Sequence, residues 1–192
     1  FDAKKSRKIM TTILKNVLRH EIADLSEADL NDFVSCWNIE KRLARHDLLY
    51  PRGRVEDKIY FIKSGSLKIC YEVNEQEMIV GFGYANTFIF DLPAFFTSQP
   101  SNFYMQAIKS CELIGIRKND FYDMLDNNLV FAKYWRKRTE MMLLEFIERE
   151  IDILTNSPEE RFQRLKRRSP DLFQHIPSKH IAYYLRMTPE TL

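Results

Sequence analysis

Apolar residues recur at helical spacing near both ends of the chain and alternate in strand-like fashion in between. The spacing predicts an amphipathic helix from Lys4 to Arg19 and a second helix, capped by Ser26, that ends near Trp37. Between Ile39 and Ile116 we interpret the alternation as short strands at 39–45, 47–50, 58–64, 66–73, 76–82, 86–90, 103–108 and 111–117. Short strands with no long helix among them predict an antiparallel barrel or jelly-roll.

Turn residues separate these strands. Pro51-Arg52-Gly53 predicts a turn, Ser64-Gly65-Ser66 a tight turn and Asn74-Glu75 a hairpin. A short helical piece at Asn119–Leu125 then connects the last strand to a much longer helix.

The stretch from Leu129 to Asn156 contains no Gly and no Pro, and it predicts one helix of about seven turns. Its apolar residues form two stripes on nearly opposite faces. One stripe is Met141, Leu144, Ile147, Ile151 and Leu154, and the other is Trp135, Met142, Phe146 and Ile153. A surface helix needs a single apolar stripe, so two stripes indicate two partners. Either the helix is buried within one large domain, or one stripe packs on its own domain and the other on a second copy.

A second helical region follows Ser157-Pro158, which has the sequence of a helix start and of a hinge between domains. This helix is expected to end near Ser169-Pro170. Ser178 is expected to cap a further helix that carries Ile181, Ala182 and Leu185, and Thr188 to cap the one after it. Two short helices joined by a tight turn predict a helix-turn-helix. The predicted domains are therefore 1–128, the long helix 129–156, and 157–192.

The net charge of +2 is small, but its distribution is uneven. Residues 157–192 hold seven Lys and Arg against four Asp and Glu, whereas the first 156 residues are nearly balanced. The basic surplus therefore lies in the predicted helix-turn-helix, which points weakly to nucleic acid there.

The cysteines, Cys36, Cys70 and Cys111, are scattered and odd in number. That pattern disfavours a disulfide framework and a zinc site, and it suits a reducing cytoplasm. No apolar run approaches 18 residues, so no membrane partner is expected.

Two stretches carry a family resemblance. The ending P-S-K-H-I-A-Y-Y-L-R-M-T-P-E-T-L, and the segments D-K-I-Y-F-I-K-S-G-S-L-K-I at 57–69 and S-C-E-L-I-G-I at 110–116, resemble the Crp/Fnr family of bacterial transcription regulators. The resemblance implies an α+β fold. It comprises an antiparallel β-roll (jelly-roll) sensor domain with flanking helices, a long dimerisation helix and a C-terminal winged helix-turn-helix that is incomplete in this sequence.

The resemblance also implies a homodimer that binds double-stranded DNA, with RNA polymerase as a further candidate partner. A helix N-terminus in the major groove presents amide groups to phosphate and side chains to base edges. The expected DNA-binding residues are Ser178, Lys179, His180, Thr188, Glu190 and Thr191. Taken alone, Thr188 and Glu190 also fit a plain helix cap and first-turn acid. The family's base-reading Arg would follow Leu192.

The expected sensor pocket departs from the family. Cyclic-nucleotide binders of this fold present a Gly-Glu pair and then an Arg-Ser or Arg-Thr pair to the ribose and phosphate. Here Phe90-Asp91 and Ser101-Asn102 stand at those places, so the loop loses its only cation. The positions that would touch the base from the long helix are Phe146 and Ile147. These changes disfavour cAMP as the effector.

Aromatic residues are expected to line the pocket instead: Phe82, Phe88, Phe90, Phe95, Phe96, Tyr104 and Phe146. Either these rings fill the cavity and no effector exists, or an apolar or neutral effector binds with Asp91 as its polar anchor. An iron–sulfur cluster needs four thiolates, which three separated cysteines do not supply. Haem stays open, although none of the four His residues stands out as an axial ligand.

The sequence thus predicts a sequence-specific, homodimeric transcription regulator that does not respond to cAMP. The alternative is a regulator that binds a cyclic nucleotide in an atypical pocket. An enzyme is not expected, because a metal-dependent jelly-roll needs two or three His on its strands and residues 39–116 contain only His46. No cofactor is predicted.

Overall fold

The computed structural model describes residues 3–22 and 25–191, with side chains from residue 11 onward. Leu192, one of the residues that match the recognition segment, lies outside the described residues. The helices are α1 (Ala3–Glu21), α2 (Glu27–Cys36), α3 (Leu92–Thr97), α4 (Lys118–Asn127), α5 (Leu129–Leu154), α6 (Pro158–Arg168), α7 (Leu172–His175) and α8 (Ser178–Tyr184). The strands are β1 (Ile39–Leu43), β2 (Leu48–Tyr50), β3 (Lys58–Val73), β4 (Gln76–Tyr84), β5 (Phe88–Ile89) and β6 (Phe103–Arg117).

All described strand pairs are antiparallel, and they form one sheet in the order β1-β6-β3-β4. β2 adds to β6, and β5 adds to β3. The two long central strands run together from Lys58 opposite Arg117 to Tyr71 opposite Phe103. This antiparallel sheet with helices before and after it confirms the predicted fold class of a β-roll with flanking helices.

The predicted turn at Ser64-Gly65-Ser66 is wrong, because β3 continues through it. The register between β3 and β6 shifts on either side of Ser64, so the segment is an irregularity within one strand. Gly65 has φ +91, which only glycine adopts freely. A Cβ built on it would lie 2.1 Å from the Ser110 carbonyl oxygen. The glycine therefore permits close contact between two strands and does not reverse the chain. β6 likewise unites the predicted strands 103–108 and 111–117.

The predicted hairpin at Asn74-Glu75 is confirmed between β3 and β4. Both residues have positive φ, 49° and 63°, as two-residue hairpins with a right-handed strand twist require.

The helix caps decide where several helices begin. Ser26 Oγ accepts from the Asp29 amide at 3.1 Å, and Ser157 Oγ accepts from the Glu160 amide at 3.2 Å, so both predicted caps are confirmed. Ser178 was predicted as a cap but is the first residue of α8, and Pro177 occupies the cap position without a side-chain bond. Thr188 begins a turn, in which its carbonyl accepts from the Thr191 amide at 3.0 Å.

The buried side chains form three clusters. One lies between the helices and the outer face of β3 and β6, and includes Leu14, Phe33, Trp37, Phe61, Ile114, Phe121 and Phe131. The second fills the inside of the roll with Leu49, Ile62, Leu67, Met105 and Leu113. The third joins the C-terminal helices to Ile108 of β6, and includes Leu165, Leu172, Ile181 and Leu185. The C-terminal helices thus share a core with the sheet.

Candidate functional site

The two apolar stripes of α5 have different environments. Trp135 packs at 4.7 Å from the Phe121 ring and at 5.6 Å from the Phe88 ring, and Met142 packs on the same cluster. The other stripe is open to solvent: Met141, Leu144, Ile147, Ile151 and Leu154 are 54%, 62%, 56%, 40% and 71% exposed. The helix therefore packs Trp135 and Met142 on its own domain, whereas Phe146 of the same stripe is 47% exposed and the Met141–Leu154 stripe is uncovered.

A cavity of about 670 Å³ lies beside the inward face of α5. Its walls come from β4, β5, the start of α3, α5 and the C-terminal helices. Among its lining residues are Phe82, Tyr84, Phe88, Phe90, Asp91, Trp135, Arg138, Met142, Glu145, Phe146, Arg149, Leu165, Arg168, Leu172 and Tyr184. It thus touches both the sheet and the helices that follow α5.

Four of the predicted pocket residues, Phe82, Phe90, Asp91 and Phe146, line this cavity. The other three, Ser101, Asn102 and Ile147, do not. Ser101 Oγ accepts from the Phe103 amide at 3.0 Å in the turn before β6, and Asn102 is exposed. Ile147 follows Phe146 by one residue, which moves it about 100° around the helix onto the open face.

The aromatic side chains of the loop after β5 pack against one another. Phe90 is buried and lies 5.3 Å from Phe95 and 6.2 Å from Trp135. Among the predicted aromatic lining residues, Phe95, Phe96 and Tyr104 lie outside the cavity. Phe95 is instead part of the core, and the Tyr104 hydroxyl donates to Glu77 at 2.6 Å.

Asp91 has a structural role that the sequence did not reveal. It is the N-cap of α3, and its Oδ1 accepts from the Ala94 amide at 3.0 Å. Asp91 is 2% exposed, and its Oδ2 has no hydrogen-bond partner among the described residues. Near it, burial and the Asp91 charge raise the pKa of Tyr50 far above its usual range. The Asp91 carboxylate is therefore buried at the cavity wall, with the Tyr50 side chain as its neighbour.

Three guanidinium groups also line the cavity, and the pocket prediction, which named only Phe146 and Ile147 from the long helix, did not include them. Arg138 donates to Glu21 at 2.8 Å, and Arg168 donates to Asp152 at 2.6 Å. Arg149 donates to the Ile79 carbonyl at 3.3 Å and lies over the Tyr184 ring. The signal was in the sequence, since Arg138 and Arg149 follow the spacing of Trp135 and Met142 on the inward face of the helix.

The C-terminal helices rest on the sheet through aromatic contacts. The Tyr84 ring stacks on the His175 ring at 4.9 Å, and Phe82 lies 5.4 Å from Tyr184. A second cleft of about 260 Å³ lies between α8 and the roll, and it is lined by Arg45, His46, Lys68, Glu77, Lys179 and His180, among others. Two of the predicted DNA-binding residues, Lys179 and His180, line this cleft, and the Lys179 side chain is exposed.

The remaining predicted DNA-binding residues are accessible. Ser178, Thr188, Glu190 and Thr191 are all exposed. His180 is half-buried, and its Nδ1 has no hydrogen-bond partner among the described residues. Burial, together with the nearby Lys68, Lys179 and Arg45 charges, lowers the pKa of His180.

Residues 40–128 match the family model of the cyclic nucleotide-binding domain. Over this span the chain is similar to cyclic nucleotide-binding domains. Its matched span begins in β1 and ends at the residue before α5, so the cavity lies at the border between the cyclic nucleotide-binding-type domain and the helices that follow it. No curated protein sequence matches the chain.

Solved structures of similar fold extend beyond this domain. The c-di-GMP-responsive global regulator CLP of Xanthomonas campestris has a TM-score of 0.65 and 14% identity, over 86% of this chain and 87% of that one. A CooA mutant from Carboxydothermus hydrogenoformans also has a TM-score of 0.65 and 14% identity, over 88% and 76%. The sensor domain of the transcriptional regulator DNR from Pseudomonas aeruginosa has a TM-score of 0.59 and 18% identity, over 80% and 99%. The predicted resemblance to Crp/Fnr-type regulators is thereby confirmed at the level of the fold.

Two searches within the described residues give negative findings. None of the helices in 3–22 and 25–191 is both long and apolar enough to cross a membrane. Over the same residues, no group of three or more His, Cys, Asp or Glu side chains is placed to hold a metal ion.

Proposed function

We propose that this protein is a homodimeric, sequence-specific DNA-binding transcription regulator of the Crp/Fnr type. The observation that carries the proposal is the uncovered apolar stripe of α5, which leads from the cyclic nucleotide-binding-type domain into α6–α8. A second copy that packs on this stripe brings two C-terminal units together on one side of the dimer. Two recognition elements related by a two-fold axis are what paired half-sites on DNA require.

The stripe has the properties of a helix–helix seam. Leu144, Ile147, Ile151 and Leu154 recur at intervals of three and four residues, and each is at least 40% exposed. A contiguous exposed apolar surface of this kind marks an interaction site in proteins generally. An isologous interface uses the same patch on both copies, which a single continuous stripe on one straight helix supplies.

The proposed DNA contacts come from α8 and the turn that follows it. Ala182 is fully buried, and Ile181 and Leu185 are buried beside it. Thr188, Glu190 and Thr191 are exposed in the turn, where hydroxyl and carboxylate groups meet phosphates and base edges. Because His180 is half-buried in the cleft between α8 and the roll, we infer that α8 turns away from β4 when DNA binds. RNA polymerase remains a further candidate partner.

The proposal includes an effector other than cAMP. The loop between β5 and β6 carries no Lys or Arg, and Phe90 packs its ring where a phosphate would need backbone amides. The base-side positions on α5 are Phe146, in the cavity, and Ile147, outside it. Charge-assisted hydrogen bonds dominate phosphate recognition, and this loop offers none from side-chain cations.

The match to the cyclic nucleotide-binding domain favours one alternative, a regulator that binds a cyclic nucleotide in an atypical pocket. Titration calorimetry of the full-length protein with cAMP and with cGMP separates the two. Micromolar affinity for either nucleotide supports the alternative and rejects our interpretation of the loop.

DNA binding is tested by fluorescence anisotropy with promoter-length duplexes at several salt concentrations. If about six phosphates are neutralised, affinity falls roughly a thousandfold between about 50 and 200 mM salt. Lys179→Gln is expected to weaken binding to all sequences and to reduce the salt slope by about one. Lys109→Gln, an exposed position on β6, is the matched control and leaves the slope unchanged. Binding that ignores salt and sequence rejects the proposal.

A further inference from the structure

The cavity beside α5 combines two chemistries. Phe82, Phe88, Trp135, Met142 and Phe146 give it apolar walls, whereas α5 and α6 contribute guanidinium groups. Ligand pockets in proteins generally pair an apolar lining with a few fixed polar groups that orient the ligand, and their volumes run from about 300 to 1,000 Å³. At about 670 Å³, this cavity has the size and the composition of such a pocket.

Charge pairing accounts for two of the guanidiniums. Arg138 makes a salt bridge with Glu21, and Arg168 makes one with the buried carboxylate of Asp152. Both are therefore held and neutralised by the protein itself. Neither offers an unmatched positive charge to a ligand.

Arg149 differs from them. It makes no salt bridge with any carboxylate in the described part of the chain, although it lies half-buried on the inward face of α5. Its Nε is buried and has no hydrogen-bond partner among those residues. Burial lowers the pKa of Arg149, and the Arg186 charge adds to this. An arginine nevertheless stays charged at neutral pH, so a half-buried guanidinium without an anionic partner is incompletely compensated.

The apolar wall begins directly beside this charge. The guanidinium lies 5.0 Å from the centre of the Tyr184 ring, and the Tyr184 and Phe82 rings are 5.4 Å apart. From there the aromatic wall continues through Phe88 to Trp135, whose rings are 5.6 Å apart. Arg149 therefore adjoins one end of an aromatic wall, whereas the other cations of the lining, Arg138 and Arg168, are paired with carboxylates.

We propose that this cavity binds an organic acid with an apolar body, its carboxylate at Arg149 and its body against Phe82, Phe88 and Trp135. A single negative charge matches the one guanidinium that lacks an anionic partner. Glu145 also lines the cavity, and burial raises the pKa of its carboxyl. A ligand with several negative charges is disfavoured there, because two acidic side chains, Glu145 and Asp91, also line the wall and would repel it.

Such a ligand would contact both parts of the protein. Leu165, Leu172 and Tyr184 of the C-terminal helices line the same cavity as β4 and β5. Occupancy would therefore alter how the C-terminal helices rest on the roll. Only this regulatory consequence depends on the proposed function, because binding of the acid is measured without DNA.

The test is titration calorimetry of the full-length protein with decanoate and, separately, with decanol, which has the same chain without the charge. Decanoate is expected to bind at least about tenfold more tightly, because only its carboxylate accepts a charge-assisted hydrogen bond from Arg149. Arg149→Gln should weaken decanoate by about tenfold or more and leave decanol unchanged. Arg136→Gln, on the open face of the same helix, is the matched control and leaves both unchanged.

Each outcome decides the matter. Equal affinity for acid and alcohol, no detectable decanoate binding, or wild-type affinity in Arg149→Gln overturns the proposal. If Arg149→Gln does not melt cooperatively, Arg149→Lys takes its place. It keeps the charge but loses the planar fork, so a smaller, several-fold weakening is expected. A protein that binds decanoate but no DNA keeps this inference and loses the proposed function.

Discussion

The change Leu144→Glu tests the α5 seam most sharply. Leu144 is 62% exposed at the middle of the open stripe, so a partner helix would cover most of its side chain. Complete burial of a leucine contributes about 1.5–3 kcal/mol, and the exposed share of Leu144 is therefore worth roughly 1–2 kcal/mol. A two-fold seam loses this contribution from both copies. The dimer should weaken by about 3 kcal/mol, or roughly a hundredfold in Kd, before any repulsion between the two glutamates is added.

Sedimentation equilibrium over a range of protein concentrations measures this Kd directly. Val55→Glu is the matched control, because Val55 is 46% exposed in the loop before β3 and lies away from α5. The control should keep the wild-type Kd. A Leu144→Glu protein that dimerises as tightly as wild type, or a wild-type protein that stays monomeric at high concentration, would refute the reasoning about the stripe.

Three further changes test the structure elsewhere. Asp152→Asn should destabilise the docking of α6 on α5 by roughly 2 kcal/mol, because the buried carboxylate accepts charge-assisted hydrogen bonds from Arg164 and Arg168. Hydrogen exchange of the α6 amides should become faster in this variant, and unchanged exchange contradicts the prediction. The lowered pKa of His180 means that docked α8 favours the neutral imidazole. The stabilisation of the docked helix by this ring is therefore complete above the unfolded pKa near 6.5, and it is lost as the pH falls through the lower folded pKa. Hydrogen exchange of the α8 amides, corrected for intrinsic rates, should therefore be faster at about pH 5 than at about pH 7.5. This difference should be much smaller in His180→Gln, and an equal pH dependence in both proteins would reject the role of His180. Gly65→Ala should lower the free energy of unfolding by roughly 2–4 kcal/mol in urea, from left-handed strain plus a clash with β6, whereas Gly53→Ala has space around it and should cost only about 1–2 kcal/mol.

The parts of the fold that could be predicted are those that local chemistry decides. The long helix follows from the absence of Gly and Pro, and it begins where Asn128 Oδ1 accepts from the Val130 and Phe131 amides. The caps at Ser26 and Ser157 follow from the same chemistry. Ser178 failed as a cap because the adjacent Pro177 occupies that position instead.

The parts that could not be predicted depend on contacts distant in sequence. Gly65 has the local appearance of a turn, yet the pairing of its neighbours Ser64 and Ser66 with β6 keeps β3 continuous. Asp91 was expected to anchor an effector, whereas it caps α3, a helix that the aromatic pattern of the loop concealed. The cations of the cavity come from α5 and α6, whereas the prediction searched for a cation only in the loop and took only Phe146 and Ile147 from α5.

The position of α8 gives the proposed regulator a physical mechanism. The contacts between Tyr84 and His175 and between Phe82 and Tyr184 hold the C-terminal helices on β4. The same rings adjoin the cavity beside α5, so a ligand there and DNA at the turn after α8 would compete or cooperate through one set of contacts. Whichever sign holds, the two couplings must be reciprocal.

The central claim is that two copies of this protein read DNA together. Selection of duplexes from a randomised pool by the full-length protein, followed by footprinting of the enriched sequences, tests it most directly. We expect a two-fold symmetric sequence, with half-site centres about one helical turn or a multiple of it apart, bound by one dimer. Enrichment of no sequence, or of an asymmetric sequence bound by a single copy, would contradict the account.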